Sequence, residues 1–217
     1  MPIRSVPGTA SIANPEGGKL FAPSAARNLD VLCDLLEQIA PSAGRHALEL
    51  ASGTGQHVVG YANRLPQYNW QPTEAAEDRL HSINAYMEEA ALPNVQPAKL
   101  LDATAPGWGA QVAPQDLIVL SNLLHLIRTT EAQCLIQEAA QALAPGGRLL
   151  IYGPFMRGGE LTSPGDQSFH ASLQAHDPEI GYKDDFDVLD WAEQAWLSPV
   201  EVIETPANNL ALVLSKG

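Results

Sequence analysis

The sequence predicts an α/β protein whose mostly parallel β-sheet has helices on both faces and ends in an antiparallel hairpin. Three observations support this prediction. Short apolar strand patterns alternate with amphipathic helical patterns from residue 46 to residue 152. A turn of small residues follows the first of these strands. Two strand patterns near residue 217 flank a short turn at residues 207–209, as in a hairpin.

The individual elements follow from apolar periodicity and from the proline residues that interrupt it. A first helix is predicted to begin at Ser24 and to stop at Pro41. Further helices are predicted at about residues 55–64, 76–91, 130–143 and 185–195. Strands are predicted at about residues 46–50, 70–74, 95–100, 116–121, 148–152, 199–205 and 210–215. No linker interrupts this order, so we expect a single domain over residues 1–217.

Two segments fall outside the alternation. Residues 1–23 are rich in proline and glycine and are predicted to form an irregular N-terminal arm. Residues 155–183 are polar and longer than an ordinary connection, so we expect an inserted lid or substrate loop there.

The charge balance restricts the classes of partner. The chain has 25 Asp and Glu against 12 Lys and Arg, a formal net charge of −13, and no cluster of basic residues. An acidic surface repels phosphate backbones and anionic lipid, so we expect a small-molecule substrate rather than nucleic acid or membrane. No secretory signal or membrane-spanning pattern is recognisable, so a cytoplasmic location is expected. The sequence does not indicate an oligomeric state.

Residues 47–57 carry the strongest functional signal. A turn made only of small residues lets the backbone approach a ligand closely, and its amides at a helix start suit a carboxylate. Gln56 stands where a dinucleotide-binding motif would have its last glycine, and Glu49 lies just before the turn. The turn consists of Ala51, Ser52, Gly53, Thr54 and Gly55.

Polar residues follow the next three predicted strands, and the carboxyl ends of parallel strands line one crevice. Glu74 lies where a carboxylate binds ribose hydroxyls, although acids are also common at an ordinary helix start. Asp102 and the adjacent Ala103 are candidates to contact an adenine, although Asp102 could instead cap a helix. Ser121 and Asn122 follow the fourth strand and are expected beside the remaining part of the ligand.

The sequence leaves more than one role open for each of these histidines. His57 is next to the turn and either covers a ligand or caps the helix. His125 is a catalytic candidate, but local hydrogen bonding within a helix explains it equally well. His170 and His176 lie in the predicted lid, and their spacing matches no set of metal ligands, so no metal is predicted.

With these residues in place, the chain resembles an uncharacterised family of class I S-adenosylmethionine-dependent methyltransferases that includes methyltransferase-like protein 26. The resemblance runs nearly end to end and depends on residues 26–28, 49–56, 122–126, 152–155, 168–173, 177–181 and 206–210. It implies the Rossmann-like seven-stranded methyltransferase fold and S-adenosylmethionine as cofactor. It also implies that Arg27 and Asn28 lie near the methionine end of the cofactor, where Arg27 could pair with the carboxylate; an exposed helix arginine is the alternative.

Three residues depart from the pattern of that family. His170 stands where Asp is expected, Lys183 where Arg is expected, and Asp166 where Asn is expected. All three fall in the predicted substrate loop, so they affect the expected acceptor more than cofactor binding.

The sequence therefore predicts methyl transfer from S-adenosylmethionine to a small acceptor by in-line displacement, in which the protein mainly aligns the two reactants. An acceptor that carries a proton needs a general base, for which His125 and His170 are the candidates. Tyr152 and Asn122 would orient the acceptor. Two alternatives stay open: a non-catalytic protein that binds S-adenosylmethionine or its demethylated product, and a nucleotide-dependent oxidoreductase, against which Gln56 and the hairpin argue.

Overall fold

Nine strands and seven α-helices occur in the part of the chain that the computed structural model describes, residues 12–13, 18–112 and 114–217. The strands are β1 (Ile12–Ala13), β2 (Leu20–Phe21), β3 (His46–Leu50), β4 (Asn69–Glu74), β5 (Lys99–Leu100), β6 (Gln115–Ser121), β7 (Leu143–Pro154), β8 (Leu197–Thr205) and β9 (Asn209–Lys216). The helices are α1 (Pro23–Ile39), α2 (Gln56–Arg64), α3 (Glu77–Ala90), α4 (Gly109–Val112), α5 (Thr129–Ala142), α6 (Pro164–His176) and α7 (Asp185–Gln194).

Seven of the strands form one sheet in the order β5-β4-β3-β6-β7-β9-β8, while β1 and β2 form a separate antiparallel pair. Strand β4 is parallel to both β3 and β5. Strand β9 is antiparallel to both of its neighbours, β7 and β8. The prediction of a mostly parallel sheet that ends in an antiparallel hairpin is therefore confirmed.

Two predicted strand boundaries differ from the structure. The third predicted strand, at about 95–100, is reduced to β5 and to an isolated bridge between Trp70 and Val95. Pro97 interrupts it because a proline has no N–H to donate to the ladder. Residues 144–147, which lie between the helix predicted at 130–143 and the strand predicted at 148–152, belong to β7, which begins directly after α5.

The two segments outside the predicted alternation contain regular structure. In the predicted arm, β1 pairs with β2 and α1 begins at Pro23, whereas residues 1–11 and 14–17 lie outside the described residues. The predicted lid contains α6, which is not among the predicted helices. Ser163 caps this helix by accepting a hydrogen bond from the amide of Asp166 at 3.1 Å, and a proline occupies the first helical position. A lid function for the segment stays a prediction.

The chain divides into two compact units, which are described in turn. The first comprises residues 1–103 and 115–119, and the second comprises residues 104–114 and 120–217. Within the described residues, no helix has the length and apolar character needed to cross a bilayer.

Each unit buries its own apolar side chains. In the first unit, Leu32, Leu36 and Ile39 of α1 are buried, and α1 packs against α2. In the second unit, α5 buries Leu135 and Ile136 and packs against α7 and β7. Burial of a Leu or Ile side chain contributes about 1.5–3 kcal/mol, so these apolar faces stabilise the scaffold that carries the polar residues described next.

Candidate functional site

The glycine turn, defined as residues 51–55, connects β3 to α2 in the first unit. Three of its residues have left-handed backbone conformations: Ala51 at φ +51°, Gly53 at φ +60° and Gly55 at φ +95°. This alternation bends the chain sharply between the strand and the helix. For an alanine, the left-handed conformation costs about 1–2 kcal/mol. Such strain is typical of functional turns.

The two glycines serve different purposes. A Cβ added to Gly55 would lie 2.6 Å from Cα of Ile83, so Gly55 allows α3 to pack against the turn. A Cβ added to Gly53 would lie no closer than 3.8 Å to another group, the Nη1 atom of Arg79. Gly53 therefore leaves open space beside the backbone, which is the geometry that a closely approaching ligand requires.

Glu49 lies at the end of β3 and is only 2 % exposed. Among the described residues, its Oε2 atom is the one buried carboxylate oxygen without a hydrogen-bond partner. Burial raises the pKa of Glu49 to about 8; a hydrogen bond from Ser52 opposes this increase, and the charge of Glu74 adds to it. A buried, half-satisfied carboxyl group destabilises a fold, so its presence here indicates a site for a ligand that donates a hydrogen bond or carries a positive charge.

Glu74 connects the end of β4 to the glycine turn. Its carboxylate accepts hydrogen bonds from the amides of Gly53 at 2.9 Å and Ala75 at 2.8 Å. The amide of Ser52 donates to the carbonyl of Thr73 at 2.8 Å, and the hydroxyl of Ser52 accepts from the amide of Thr73 at 3.2 Å. Each carboxylate oxygen of Glu74 has a second lone pair, so the group can hold the turn and also accept from ligand hydroxyls.

Two further side chains, which are not among the predicted site residues, also hold the turn. The amide oxygen of Gln56 accepts from the backbone of Ala22 at 2.7 Å and from the hydroxyl of Thr54 at 2.9 Å. The hydroxyl of Ser82 donates to the carbonyl of Thr54 at 2.7 Å and accepts from the amide of Leu20 at 2.8 Å. The Gln56 side chain thus fills a structural role at the position where a dinucleotide motif has a glycine. No local sequence signal identifies Ser82, because its partners are distant in the chain.

His57 lies in α2 beside the turn. Its Nε2 atom is 3.1 Å from the carbonyl oxygen of Ala25, to which it donates a hydrogen bond, and its ring stacks on Tyr61. Burial lowers its pKa to about 4, so the ring is neutral at pH 7. The side chain therefore connects α2 to α1. Contact with a ligand stays a prediction.

The remaining predicted residues of the first unit are placed as follows. Both Arg27 and Asn28 lie on α1, shortly after the buried Ala25. Arg27 is exposed and Asn28 is half-buried. After β5, Asp102 is half-buried and Ala103 is buried. Their assignment to cofactor binding stays a prediction.

In the second unit, Ser121 ends β6 and Asn122 follows it at φ +54°. The amide of Asn122 donates to the carbonyl of Tyr152 at 2.8 Å, which aligns this turn with β7. The hydroxyl of Tyr152 is buried and accepts from Nδ2 of Asn209 at 3.1 Å. Asn209 is the first residue of β9, so the Tyr152 side chain joins the hairpin to the centre of the unit.

His125 lies in a short 3-10 turn, Leu124–Leu126, and is 4 % exposed. Its ring contacts Phe169 and Tyr182 edge-on. Burial, together with the positive charge of Lys183, lowers the pKa of His125 to about 3. A group with that pKa is neutral at pH 7 but is a weak general base.

The α6 cluster comprises Asp166, His170, Tyr182 and Lys183. Asp166 accepts hydrogen bonds from the hydroxyls of Ser163 at 2.6 Å and Tyr182 at 3.0 Å, and from the side-chain amide of Asn208. Nδ1 of His170 accepts from the amide of Tyr182 at 3.1 Å.

Lys183 completes the α6 cluster. It donates to the carbonyls of Ile127 at 2.8 Å and Gly181 at 2.9 Å. Burial lowers its pKa to about 8, and the charge of Glu131 opposes that decrease. Two of the departures from the family pattern, Asp166 and His170, are thus joined by hydrogen bonds through Tyr182, and the third, Lys183, is the next residue along the chain. Across the described ranges, no group of three or more His, Cys, Asp or Glu has a metal-binding arrangement.

Several solved structures with similar folds are described as methyltransferases. An O-methyltransferase family protein from Burkholderia thailandensis is 18 % identical with a TM-score of 0.74, and the alignment covers 89 % of this chain and 57 % of that one. An O-methyltransferase family 2 protein from Planctomyces limnophilus, in complex with apigenin, is 22 % identical with a TM-score of 0.73, covering 89 % and 60 %. Human N-acetylserotonin methyltransferase, in complex with S-adenosylmethionine, is 13 % identical with a TM-score of 0.72, covering 89 % and 53 %.

The chain thus spans a little over half the length of these proteins. The likeness confirms the predicted Rossmann-like methyltransferase fold, and at these identities it shows the fold alone. A family model described as "Protein of unknown function (DUF938)" matches residues 19–216. The chain belongs to this family.

Proposed function

We propose that the protein is an S-adenosylmethionine-dependent methyltransferase with a small-molecule acceptor, and that it belongs with methyltransferase-like protein 26 and its relatives. The observation that carries the proposal is Glu49, which is 2 % exposed and has one carboxylate oxygen without a partner directly before the glycine turn. The methyltransferase fold and the acidic composition support it. A cytoplasmic location is part of the same proposal.

The residues of the first unit fit this cofactor. Glu49 offers its unpartnered oxygen to the α-amino group, which is a cationic donor. Glu74 has lone pairs left for the ribose hydroxyls, and Gly53 leaves room beside the backbone for a ligand. When bound, S-adenosylmethionine would supply a methyl group on a sulfonium centre, from which a neutral thioether is a good leaving group. The task of the chain is then to hold and align the reactants.

The raised pKa of Glu49 gives the proposal a specific signature. With a pKa of about 8, the group is mostly protonated at pH 7. A cationic amino group beside the carboxylate favours its charged form, so Glu49 should lose its proton when the ligand binds.

Isothermal titration calorimetry at pH 7, in buffers that differ in ionisation enthalpy, tests this. We expect S-adenosylmethionine and S-adenosylhomocysteine to bind to the wild type with release of most of one proton. Glu49→Gln should bind about tenfold more weakly or worse and release none, because it loses a hydrogen bond to a charged group. Glu77→Gln, which changes an exposed acid at the start of α3, is the matched control and should behave as the wild type. Absence of heat with both ligands would contradict the proposal.

The two turn glycines provide a second test, in which ligand binding and stability separate. Gly53→Ala places a methyl group in the proposed ligand space, so we expect at least a tenfold loss of affinity with a stability loss of about 1 kcal/mol from the left-handed backbone. Gly55→Ala forces its Cβ against Ile83 and should reduce the free energy of unfolding by about 3 kcal/mol. Urea unfolding and calorimetry measure both quantities. Normal binding by Gly53→Ala would show that the open side of the turn is not the ligand site.

One observation favours a second candidate, a non-catalytic protein that binds S-adenosylmethionine or its demethylated product. Two side chains expected to act on an acceptor are poorly suited to that role. His125 has a pKa of about 3, which makes it a weak base, and the hydroxyl of Tyr152 already accepts a hydrogen bond from Asn209. Formation of S-adenosylhomocysteine with a panel of amines, phenols and thiols distinguishes the candidates. Turnover on any of them supports the enzyme, whereas tight binding without turnover on all of them supports the second candidate.

A further inference from the structure

A cleft of about 580 Å3 lies in the second unit, between the segment that follows β7 and the helix α7. The residues that line it include Met156, Gly158, Gly159, Phe186 and Trp191. This volume is in the range of small-molecule sites, which are mostly apolar with a few placed polar groups. None of the residues assigned to cofactor binding lines it, whereas Met156, Tyr182 and Lys183 belong to the segment predicted as a substrate loop.

Aromatic residues contribute to the lining of the cleft. Phe186, the second residue of α7, is 62 % exposed, and the half-buried Trp191 lies five residues further along the helix. Met156 adds a polarisable thioether. An exposed aromatic ring beside a concavity is typical of a binding site, since the ring gains free energy when a ligand covers it.

The backbone amides of Gly158 and Gly159 are not free to bind an anion. The amide of Gly158 donates to Asp185 at 3.0 Å, and the amide of Gly159 donates to the carboxylate of Asp184. These bonds also occupy the carboxylates of Asp184 and Asp185, which in addition hold the amide of Phe186 at the start of α7. The geometry therefore excludes the backbone nest that phosphate or carboxylate ligands use.

The charged residues that line the cleft are Asp184, Asp187 and Lys183, so carboxylates outnumber cations there. Asp187 lines it and is exposed, and no Lys or Arg of the described residues forms an ion pair with it. Lys183 also lines the cleft, but it is 6 % exposed and its ammonium group donates to the carbonyls of Ile127 and Gly181. A ligand in the cleft thus meets aromatic rings, a thioether, two carboxylates and one buried ammonium group.

We propose that this cleft binds a small organic cation, such as a quaternary or alkyl ammonium group, with Phe186 and Trp191 as the aromatic contacts and Asp187 as the counter-charge. Aromatic faces attract such cations through their quadrupole, and a carboxylate at the rim adds to this attraction. All of its residues lie outside the glycine turn, so the proposal does not depend on the assignment of the cofactor site.

Three ligands of nearly the same shape and different charge test the proposal. Choline is the cation, 3,3-dimethylbutan-1-ol is its uncharged carbon isostere, and 3,3-dimethylbutanoate is an anion with the same tert-butyl group. Ligand-observed NMR titrations of the full chain measure each dissociation constant. We expect choline to bind at least about fivefold more tightly than the alcohol, the factor of a cation–π contact at a partly exposed site. Equal binding of the alcohol, or a preference for the anion, would overturn the proposal.

Variants then locate the binding. Phe186→Ala and Asp187→Asn change exposed side chains and should leave the fold intact, as checked by circular dichroism. Each should weaken choline binding by about two- to fivefold, the range for one exposed cation contact. Asp190→Asn removes another exposed acid of α7 that does not line the cleft, and it should bind as the wild type. Choline binding that is unchanged in both Phe186→Ala and Asp187→Asn would place the cation elsewhere and refute the assignment.

Discussion

The glycine turn of the first unit and the α6 cluster of the second unit both bury an acidic side chain, but they satisfy it differently. Glu49 is 2 % exposed and leaves one carboxylate oxygen without a partner. Asp166 is 6 % exposed, and its two oxygens accept from Ser163, Tyr182 and Asn208. A buried acid with all of its partners stabilises a fold, whereas a half-satisfied one destabilises it and marks a place where a ligand completes the bonding.

The predicted site residues of the two units differ in the same way. The residues near the glycine turn retain capacity for a ligand, and the proposed cofactor site lies there. The predicted catalytic residues of the second unit take part in internal contacts: His170 accepts from Tyr182, and Tyr152 accepts from Asn209. Their catalytic roles stay predictions, and the contacts indicate that each of them also stabilises the fold.

The largest effect expected from this comparison is on Asp166. Asp166→Ala leaves the hydroxyls of Ser163 and Tyr182 and the amide of Asn208 without their acceptor, so the free energy of unfolding should fall by about 3 kcal/mol. Urea unfolding measures it, with the exposed Asp190→Ala as the control that should change stability by less than about 0.5 kcal/mol. A loss as small as that of the control would show that the α6 cluster does not stabilise the fold.

A pH series separates His125 from Glu49 by the sign of their effects on stability. The pKa of His125 is about 3 in the folded protein and 6.5 ordinarily, so the unfolded chain binds more protons and stability falls as the pH decreases below 6.5. From pH 6.5 to 4.5 this amounts to about 2 kcal/mol, and His125→Asn should remove that part of the acid loss.

Glu49 acts in the opposite direction in the same series. Its pKa is raised from 4.5 to about 8, so its contribution is present below pH 4.5 and is lost as the pH rises through 8. Glu49→Gln should therefore flatten the loss of stability between pH 4.5 and 8. Unfolding curves at each pH measure both slopes, and a His125→Asn slope equal to that of the wild type would contradict the burial of a neutral imidazole.

The smallest stability effect is expected for Glu49 at a single pH. Glu49→Leu replaces a half-satisfied acid by an apolar side chain of similar size, so at pH 7 the free energy of unfolding should change by less than about 1 kcal/mol or increase. Binding of S-adenosylhomocysteine should nevertheless be lost. Thermal unfolding with and without that ligand measures both, because a ligand of the folded state raises Tm. A destabilisation as large as that of Asp166→Ala would show that Glu49 is a structural acid.

The order of the elements and the glycine turn could be predicted from the sequence because their signals are local. Apolar periodicity distinguishes strands from helices, and the small residues at 51–55 stand next to each other in the chain. The hairpin of β8 and β9 was predictable for the same reason. The helix α6 is not among the predicted helices, although Ser163, Pro164 and Asp166 form a local helix-start signal.

Pairings between distant residues were decided only by the tertiary structure. The sequence alone determined that an acid precedes a close-approach turn; the fold decided that Glu49 keeps an unpartnered oxygen there, while Asp166 finds Tyr182 and Asn208. The physical reason is that burial and hydrogen-bond satisfaction depend on which residues the packed chain brings within about 3 Å, and sequence spacing does not contain that information.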